Sequence, residues 1–161
     1  MRWALAGMAL LAPVLGQEVR TEITPQGMEG LLGSLGWKYQ QVFNWGVSVE
    51  YEVEVEGQKF RLFLADCQGR EPRCQSLLLK VRPDLAEGPS LNHIAKVLAW
   101  NREYRFSRAY LDEGFYPVLE ADLLLEGGVT DRAIVAFLLM FLESWQEFYA
   151  YMGGGLSGEE R

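Results

Sequence analysis

The feature that most constrains the fold is a strict alternation of apolar and polar residues from 47 to 55. Valine and tyrosine side chains share one face of the predicted strand, and serine and glutamate share the other. The Glu56-Gly57 dipeptide predicts a tight turn that pairs Val55 with Gln58 in a hairpin. In that register apolar residues oppose apolar residues on one face, and glutamates oppose basic residues on the other. A slip of one residue would exchange the faces, so the sequence favours this register and an antiparallel sheet.

The first sixteen residues have the pattern of an export signal. Arg2 precedes an apolar run from 3 to 15, and Val14 and Gly16 are small residues at the spacing that signal peptidase recognises. We predict cleavage between Gly16 and Gln17, with an N-terminal core helix as the alternative. As a helix the run would span about 20 Å of a hydrocarbon core that is about 30 Å thick. We therefore expect a periplasmic or secreted protein with no stable membrane span after cleavage.

The two cysteines lie at the mouth of a second predicted hairpin. Pairing Cys67 with Cys74 sets Leu64 against Leu77, and the loop from 68 to 73 is polar and contains turn-forming residues. In an exported protein this arrangement predicts a structural disulfide. A redox-active pair is the alternative, although the spacing is not that of a CxxC motif.

Composition excludes several classes of function. Fifteen Lys+Arg against 22 Asp+Glu give a net charge of -7, which argues against nucleic acid as a partner. One histidine and two cysteines leave few residues for zinc sites or catalytic triads. No Gly-rich phosphate-binding motif is present, so we expect no cofactor, no metal and no enzymatic activity.

Helical periodicity recurs in three segments. The predicted N-caps are Thr24 for the first helix, Ser90 for the second, and Thr130 or Asp131 for the last, which runs to about Tyr151. The apolar face of the second helix is predicted to consist of Leu91, Ile94, Leu98 and Asn101. Glycines 27, 30 and 33 line one side of the first helix, where we expect the close approach of a neighbouring element.

The predicted elements follow the order α-β-β-β-α-β-β-α. Residues 37–43 alternate only loosely, and a late hairpin surrounds the turn at 112–114. Because hairpins dominate, we predict an α+β fold in which helices pack against an antiparallel sheet. Residues 17–152 are predicted to form one domain, followed by a flexible tail from 153 to 161 that is rich in glycine and charge.

The last helix is apolar on nearly all sides over ten residues. Six apolar residues form one stripe that could cover a sheet: Ile134, Phe137, Leu138, Phe141, Trp145 and Phe148. Val135, Leu139 and Met140 lie on the other side, which must be covered or exposed. Either the first helix packs over this side, or the three residues bind a partner, including a second copy in a homodimer.

Other residues suggest chemistry more weakly. Glu120 and Asp122 are paired carboxylates that, with His93, could serve a small hydrolase. A small-ligand carrier would need a pocket rimmed by aromatic residues such as Trp37, Tyr51 and Trp100. Asn101 falls among apolar positions, so its amide either binds neighbouring backbone or contacts a ligand.

Several motifs occur in a fixed order in the second half of the chain: Trp100-Asn101, Tyr104 to Tyr110 with Arg105, Asp112-Glu113-Gly114, Leu119 to Leu125 with Asp122, and Gly127-Gly128-Val129-Thr130. In this order and spacing the chain resembles the YbjN family over roughly residues 24 to 150. The resemblance implies a fold like that of type III secretion chaperones and a role as a bacterial sensory transduction regulator, with no established catalytic residues. We therefore expect an exported, non-enzymatic interaction domain that binds a protein or peptide of unknown identity.

Overall fold

Three helices and eight strands make up the computed structural model, which describes residues 18–85 and 88–153. The helices are α1 (Pro25–Ser34), α2 (Leu91–Glu103) and α3 (Asp131–Met152). The strands are β1 (Val19–Arg20), β2 (Lys38–Asn44), β3 (Val49–Val55), β4 (Gln58–Gln68), β5 (Arg73–Val81), β6 (Arg108–Leu111), β7 (Pro117–Leu124) and β8 (Val129–Thr130). The predicted cleavage between Gly16 and Gln17, and the predicted tail beyond Gly153, lie outside the described residues.

Six antiparallel strands form one sheet in the order β2-β3-β4-β5-β7-β6, and β1 pairs with β8 in a separate two-stranded sheet. The predicted α+β class with an antiparallel sheet is confirmed. The predicted element order lacks three strands, because four strands rather than three separate α1 from α2, and the two-residue strands β1 and β8 precede α1 and α3. The loosely alternating stretch forms the full strand β2, an edge strand that has exposed residues on both faces and therefore lacks a clear period of two.

The register of both central hairpins is as predicted. Val55 pairs with Gln58 in the first hairpin, and Leu64 with Leu77 in the second. In β3 the burial alternates residue by residue, with valine and tyrosine buried and glutamate partly exposed. The match of apolar side chains on one face therefore selects the pairing, as the alternation requires.

The core lies on the face of the sheet that α1 and α3 cover. Phe60 of β4 is central to it, with ring centroids 6.0 Å from Trp37, 5.6 Å from Phe141 and 6.4 Å from Trp145. All six residues of the predicted α3 stripe are buried. The opposite face of the sheet carries charged pairs, such as Lys59 with Glu52.

The prediction of which side of α2 faces the core is wrong. The buried residues of α2 are Val97 and Trp100, whereas Leu91 is 84% and Leu98 is 69% exposed. The Trp100 ring stacks on Tyr104 at 3.6 Å between centroids and also contacts Phe148 at 4.9 Å. Burial of the large indole surface therefore orients the helix and leaves the leucine stripe outside.

The glycine side of α1 also differs from the expectation. An added methyl group would lie 3.3 Å from Ile23 at Gly27, but would meet no atom within 4 Å at Gly30 or Gly33. Only the first of the three glycines therefore permits a close approach. Thr24 caps α1 as predicted, since its hydroxyl accepts a hydrogen bond from the Gly27 amide at 3.1 Å.

The cysteine pair joins β4 to β5 at one end of the sheet. Cys67 and Cys74 are direct cross-strand partners, and their sulfur atoms are 2.06 Å apart, which is compatible with the predicted disulfide. The Cys74 backbone also exchanges two hydrogen bonds with Ile23, at 2.8 and 2.9 Å. This end of the sheet therefore anchors the chain just before α1.

Replacing both Cys67 and Cys74 with alanine should lower the free energy of unfolding by about 2–3 kcal/mol, because the cross-link closes a short loop. Chemical denaturation of the chain from Gln17 onward measures this change, and reduction of the unaltered protein should produce a loss of similar size. Free thiols in protein purified from its native compartment would contradict the cross-link.

Candidate functional site

Helix α3 is fixed at its start by capping and by an ion pair. The Thr130 hydroxyl accepts a hydrogen bond from the Ala133 amide at 3.2 Å. Asp131, in the first turn, accepts from both the Nε and the Nη2 of Arg20, the latter at 3.0 Å. These contacts hold α3 in the rotation that directs its aromatic stripe into the core.

The other side of the same helix is exposed. We define the α3 outer face by the residues Val135, Ala136, Leu139, Met140, Glu143, Gln146 and Glu147. Leu139 is 43% and Met140 is 47% exposed, while Val135 is half-buried. The expectation that the first helix covers this side is therefore wrong. Helix α1 packs beside β2, and the apolar residues of the α3 outer face remain available for contact.

By length and composition, α3 alone among the described helices could cross a membrane. Core helices of folded domains share this property, and the inward stripe of α3 is buried against the sheet.

A second apolar surface lies at the start of α2. A groove of about 490 Å³ is lined by Pro89, Ser90, Leu91, Ile94 and Phe115, and we call it the α2 groove. Phe115 is 62% exposed and has a φ of 63°, in the left-handed region that favours glycine. A bulky residue with a positive φ is uncommon and occurs in turns and at strained functional sites.

The turn that carries Phe115 is held by Asp112. Its Oδ1 accepts hydrogen bonds from the Gly114 and Tyr116 amides, both at 2.9 Å, and its Oδ2 lies 3.2 Å from Arg82 Nη1. The bond from the Tyr116 amide, followed by the Arg82 contact, lowers the pKa of Asp112 despite partial desolvation. Phe115 is therefore presented by a well-ordered turn.

The carboxylates proposed for a hydrolase are engaged in ion pairs. Glu120 is only 4% exposed, and its oxygens lie 2.9 Å from both Lys80 Nζ and Arg108 Nε and 3.2 Å from the Tyr110 hydroxyl. Burial alone would raise the pKa of Glu120, but the hydrogen bonds from Arg108 and Lys80 outweigh it and the pKa is lowered. A general acid needs the opposite shift.

His93 belongs to a different part of the molecule. Its Nδ1 accepts a hydrogen bond from the Ser90 amide at 3.0 Å, and its Nε2 donates to the Met152 carbonyl at 3.1 Å. The ring thus joins the start of α2 to the end of α3 and makes no contact with Glu120 or Asp122. Within residues 18–85 and 88–153, no group of three or more His, Cys, Asp or Glu residues could hold a metal ion.

The aromatic residues proposed for a ligand carrier do not rim one pocket. Tyr51 and Trp100 are fully buried in the core, whereas Trp37 lines a surface cavity. The Tyr51 hydroxyl donates to Glu29 at 3.0 Å, and burial together with this bond raises its pKa. These residues stabilise the core.

Three of the motif residues, Asn101, Arg105 and Asp122, line a cavity of about 330 Å³ beside β6. The Asn101 amide makes two backbone bonds with Ala109, donating to its carbonyl at 2.8 Å and accepting from its amide at 2.7 Å. Its side chain thus forms the same pair of hydrogen bonds with the edge strand β6 that a neighbouring strand would form. The residue itself is exposed, not buried as its place among apolar positions suggested. The expected contact with neighbouring backbone is present.

The Gly127-Gly128 step allows the start of the described chain to pack against the entry to α3. Both glycines have positive φ, 90° and 99°. A methyl group on Gly128 would lie 2.5 Å from a Val19 methyl carbon, whereas Gly127 faces open space. Gly128 is therefore required by the close approach of β1, and Gly127 by conformation alone.

The family comparison accounts for this set of motifs. The family model described as "Putative bacterial sensory transduction regulator", YbjN, matches residues 24–153. The chain belongs to the YbjN family. The match covers α1 through α3 and agrees with the resemblance predicted over roughly residues 24 to 150.

Solved structures provide a second comparison for this YbjN member. The type III secretion chaperone SycH of Yersinia pestis, solved with a fragment of YscM2, is 15% identical over 72% of this chain and 91% of that chain, with a TM-score of 0.45. A chain of the HopA1-SchA chaperone-effector complex is 18% identical over 73% and 88%, with a TM-score of 0.43. Comparison with curated proteins gives no match.

The α2 groove was not predicted from the sequence. The leucine periodicity of α2 was visible, but a stripe of that kind predicts burial in most helices. The competing stripe through Val97 and Trp100 was the signal that could have shown which side faces the core. The positive φ of Phe115 could not be predicted from the sequence. The glycine next to it, Gly114, is the residue that a local rule would assign to that conformation, but it does not adopt a positive φ.

Gly128→Ala should lower the free energy of unfolding of the YbjN domain by about 2–4 kcal/mol, from steric overlap and backbone strain. Gly127→Ala is the matched control and should cost about 1–2 kcal/mol, from strain alone. In thermal or chemical denaturation, the double variant Val19→Ala with Gly128→Ala should lose about as much unfolding free energy as Gly127→Ala, because the smaller side chain at position 19 removes the steric overlap. Equal losses for both alanine variants would show that β1 does not pack on Gly128.

Glu120→Gln should lower the free energy of unfolding at pH 7 by about 1–3 kcal/mol, because it leaves Lys80 without its buried partner. Since the folded state lowers the pKa of Glu120 below its usual 4.5, the carboxylate stabilises the fold above that value. This stabilisation is lost as pH falls through the lowered pKa. The difference in free energy of unfolding between the unaltered protein and Glu120→Gln should therefore become smaller below about pH 4.5. Denaturation at a series of pH values measures it, and a constant difference across that range would contradict the stabilising role of the carboxylate.

Proposed function

We propose that this YbjN-family chain is an exported, non-enzymatic domain that binds a protein or peptide partner through the α3 outer face. The observation that carries the proposal is the exposure of Leu139 and Met140 on a helix whose opposite side is already buried in the core. An apolar helix surface of this kind is costly to leave in water and is typical of interaction sites.

The alternative of a small hydrolase has less support. Its carboxylate Glu120 is held by cations, and the single histidine caps a helix. A carrier of small ligands has less support as well, since Tyr51 and Trp100 fill the core. Binding by surface contact needs neither a nucleophile nor a cofactor.

Export rests on the N-terminal pattern and on the cysteine pair. Arg2 and the apolar run that follows have the features of a signal peptide, and Gly16 provides the cleavage position. Cys67 and Cys74 lie at bonding distance, an arrangement that persists in oxidising compartments. The expected location is therefore the periplasm or the exterior, with no stable membrane span after cleavage.

A homodimer is the second candidate, and the α2 groove is the surface that favours it. Leu91, Leu98 and Phe115 are the most exposed of the large apolar residues near this groove. Their self-association would bury an apolar stripe that the monomer leaves in water.

Leu139→Asp should abolish capture of the native partner by the mature chain, because a carboxylate cannot be buried in an apolar interface without a large desolvation cost. The bait is the chain from Gln17 onward, the source is the envelope fraction of the producing cell, and the readout is quantitative mass spectrometry. Leu98→Asp, the matched apolar-to-acid control on α2, should leave capture unchanged while it lowers the molar mass of any dimer in light scattering. Unchanged capture and oligomeric state for Leu139→Asp would remove the α3 version of the proposal.

A further inference from the structure

The α3 outer face changes character along its length. Arg132 is exposed on the same side in the first turn of α3, and the face then exposes Ala136, Leu139 and Met140, followed by Glu143 and Glu147. Residues 136 and 147 are separated by about 16 Å along the helix axis at about 1.5 Å per residue. One continuous surface of about three turns is thus apolar at one end and acidic at the other.

The two glutamates of the acidic end are not neutralised by the residues that the structure describes. Glu143 and Glu147 are spaced i, i+4, which places two negative charges on adjacent turns and destabilises the helix. Within the described part of the chain, no lysine or arginine nitrogen lies within 4.0 Å of either carboxylate. The last turn of α3 has no basic residue to offset them.

A third carboxylate lies near the same end. Burial of Tyr104, together with the charges of Glu147 and Glu103, raises the pKa of its phenol. Tyr104 therefore lies within electrostatic range of both carboxylates, but Glu103 is paired with Arg102 at 3.4 Å and adds no unpaired charge. A cationic partner would relieve repulsion that the free domain retains.

We propose that the segment bound by the α3 outer face is a basic amphipathic helix, with apolar residues that pack on Leu139 and Met140 and lysine or arginine side chains that pair with Glu143 and Glu147. This inference rests on the proposed function and adds the chemistry of the partner. The apolar anchors and the cations would lie one to two turns apart on one side of the partner helix.

The same charges disfavour an anionic membrane and a parallel second copy. An anionic membrane surface would be repelled by the acidic end. In a second copy placed in parallel, glutamates would meet glutamates. An antiparallel copy centred on Leu139 and Met140 would instead place Arg132 opposite Glu147, so a dimer in light scattering of the free protein that Leu139→Asp dissociates would overturn the proposal. A basic peptide satisfies both halves of the surface.

The test uses a synthetic 18-residue helical peptide with leucines on one face and lysines beginning one turn further along. Fluorescence anisotropy measures its dissociation constant with the mature chain at two salt concentrations. Glu143→Gln with Glu147→Gln should weaken binding about three- to tenfold, as expected for two exposed ion pairs, and should reduce its salt dependence. Leu139→Ser with Met140→Ser should abolish measurable binding.

Two controls separate specific pairing from the attraction of any acidic protein for a basic peptide. Glu71→Gln with Glu113→Gln removes the same charge from other exposed positions and should leave the dissociation constant unchanged. A peptide with glutamates in place of the lysines should not bind. In the free protein, the double substitution at Glu143 and Glu147 should raise the melting temperature, whereas a stabilising role for these residues would lower it.

The proposal is overturned if the peptide does not bind, if the two glutamine pairs weaken binding equally, or if the acidic peptide binds as well. It is also overturned if phosphatidylglycerol vesicles, rather than the peptide, bind through Leu139. If Leu139→Asp still abolishes capture of the native partner in these cases, the proposed function stands and only the basic chemistry of the partner is wrong.

Discussion

The fold depends on the cross-strand match of apolar side chains in the two hairpins formed by β3, β4 and β5. Each strand places alternate residues on one face, and the register keeps those residues opposite one another. The result is a single apolar sheet face with Phe60 near its centre. Helices α1 and α3 must cover this face, and their own orientation follows from that requirement.

Covering the sheet uses only one side of each helix. The aromatic stripe of α3 is buried on the sheet, and the indole of Trp100 fixes the rotation of α2. The remaining apolar residues of both helices, Leu139 and Met140 on α3 and Leu91 and Leu98 on α2, are therefore exposed. The surfaces available for binding are a consequence of how the core is filled, and no separate recognition loop is needed to create them.

Much of this could be predicted from local pattern. Alternation and turn residues predicted the hairpin registers, capping residues predicted the starts of all three helices, and the order of motifs predicted the YbjN family. Which side of α2 faces the core could not be predicted from periodicity, because two apolar stripes compete and the packing of Trp100 decides between them. The conformation of Phe115 and the approach of Val19 to Gly128 depend on contacts between segments far apart in the sequence, and no local rule describes them.

The central claim is that the α3 outer face contacts a partner in the compartment where the protein resides. Site-specific photocrosslinking in the producing cell tests it most directly, with a photoreactive amino acid placed at position 139, at position 98 on α2, or at position 43 on the sheet edge. We expect one discrete adduct from position 139 and none from position 43. An adduct from position 98 or 43, with none from position 139, would contradict the claim.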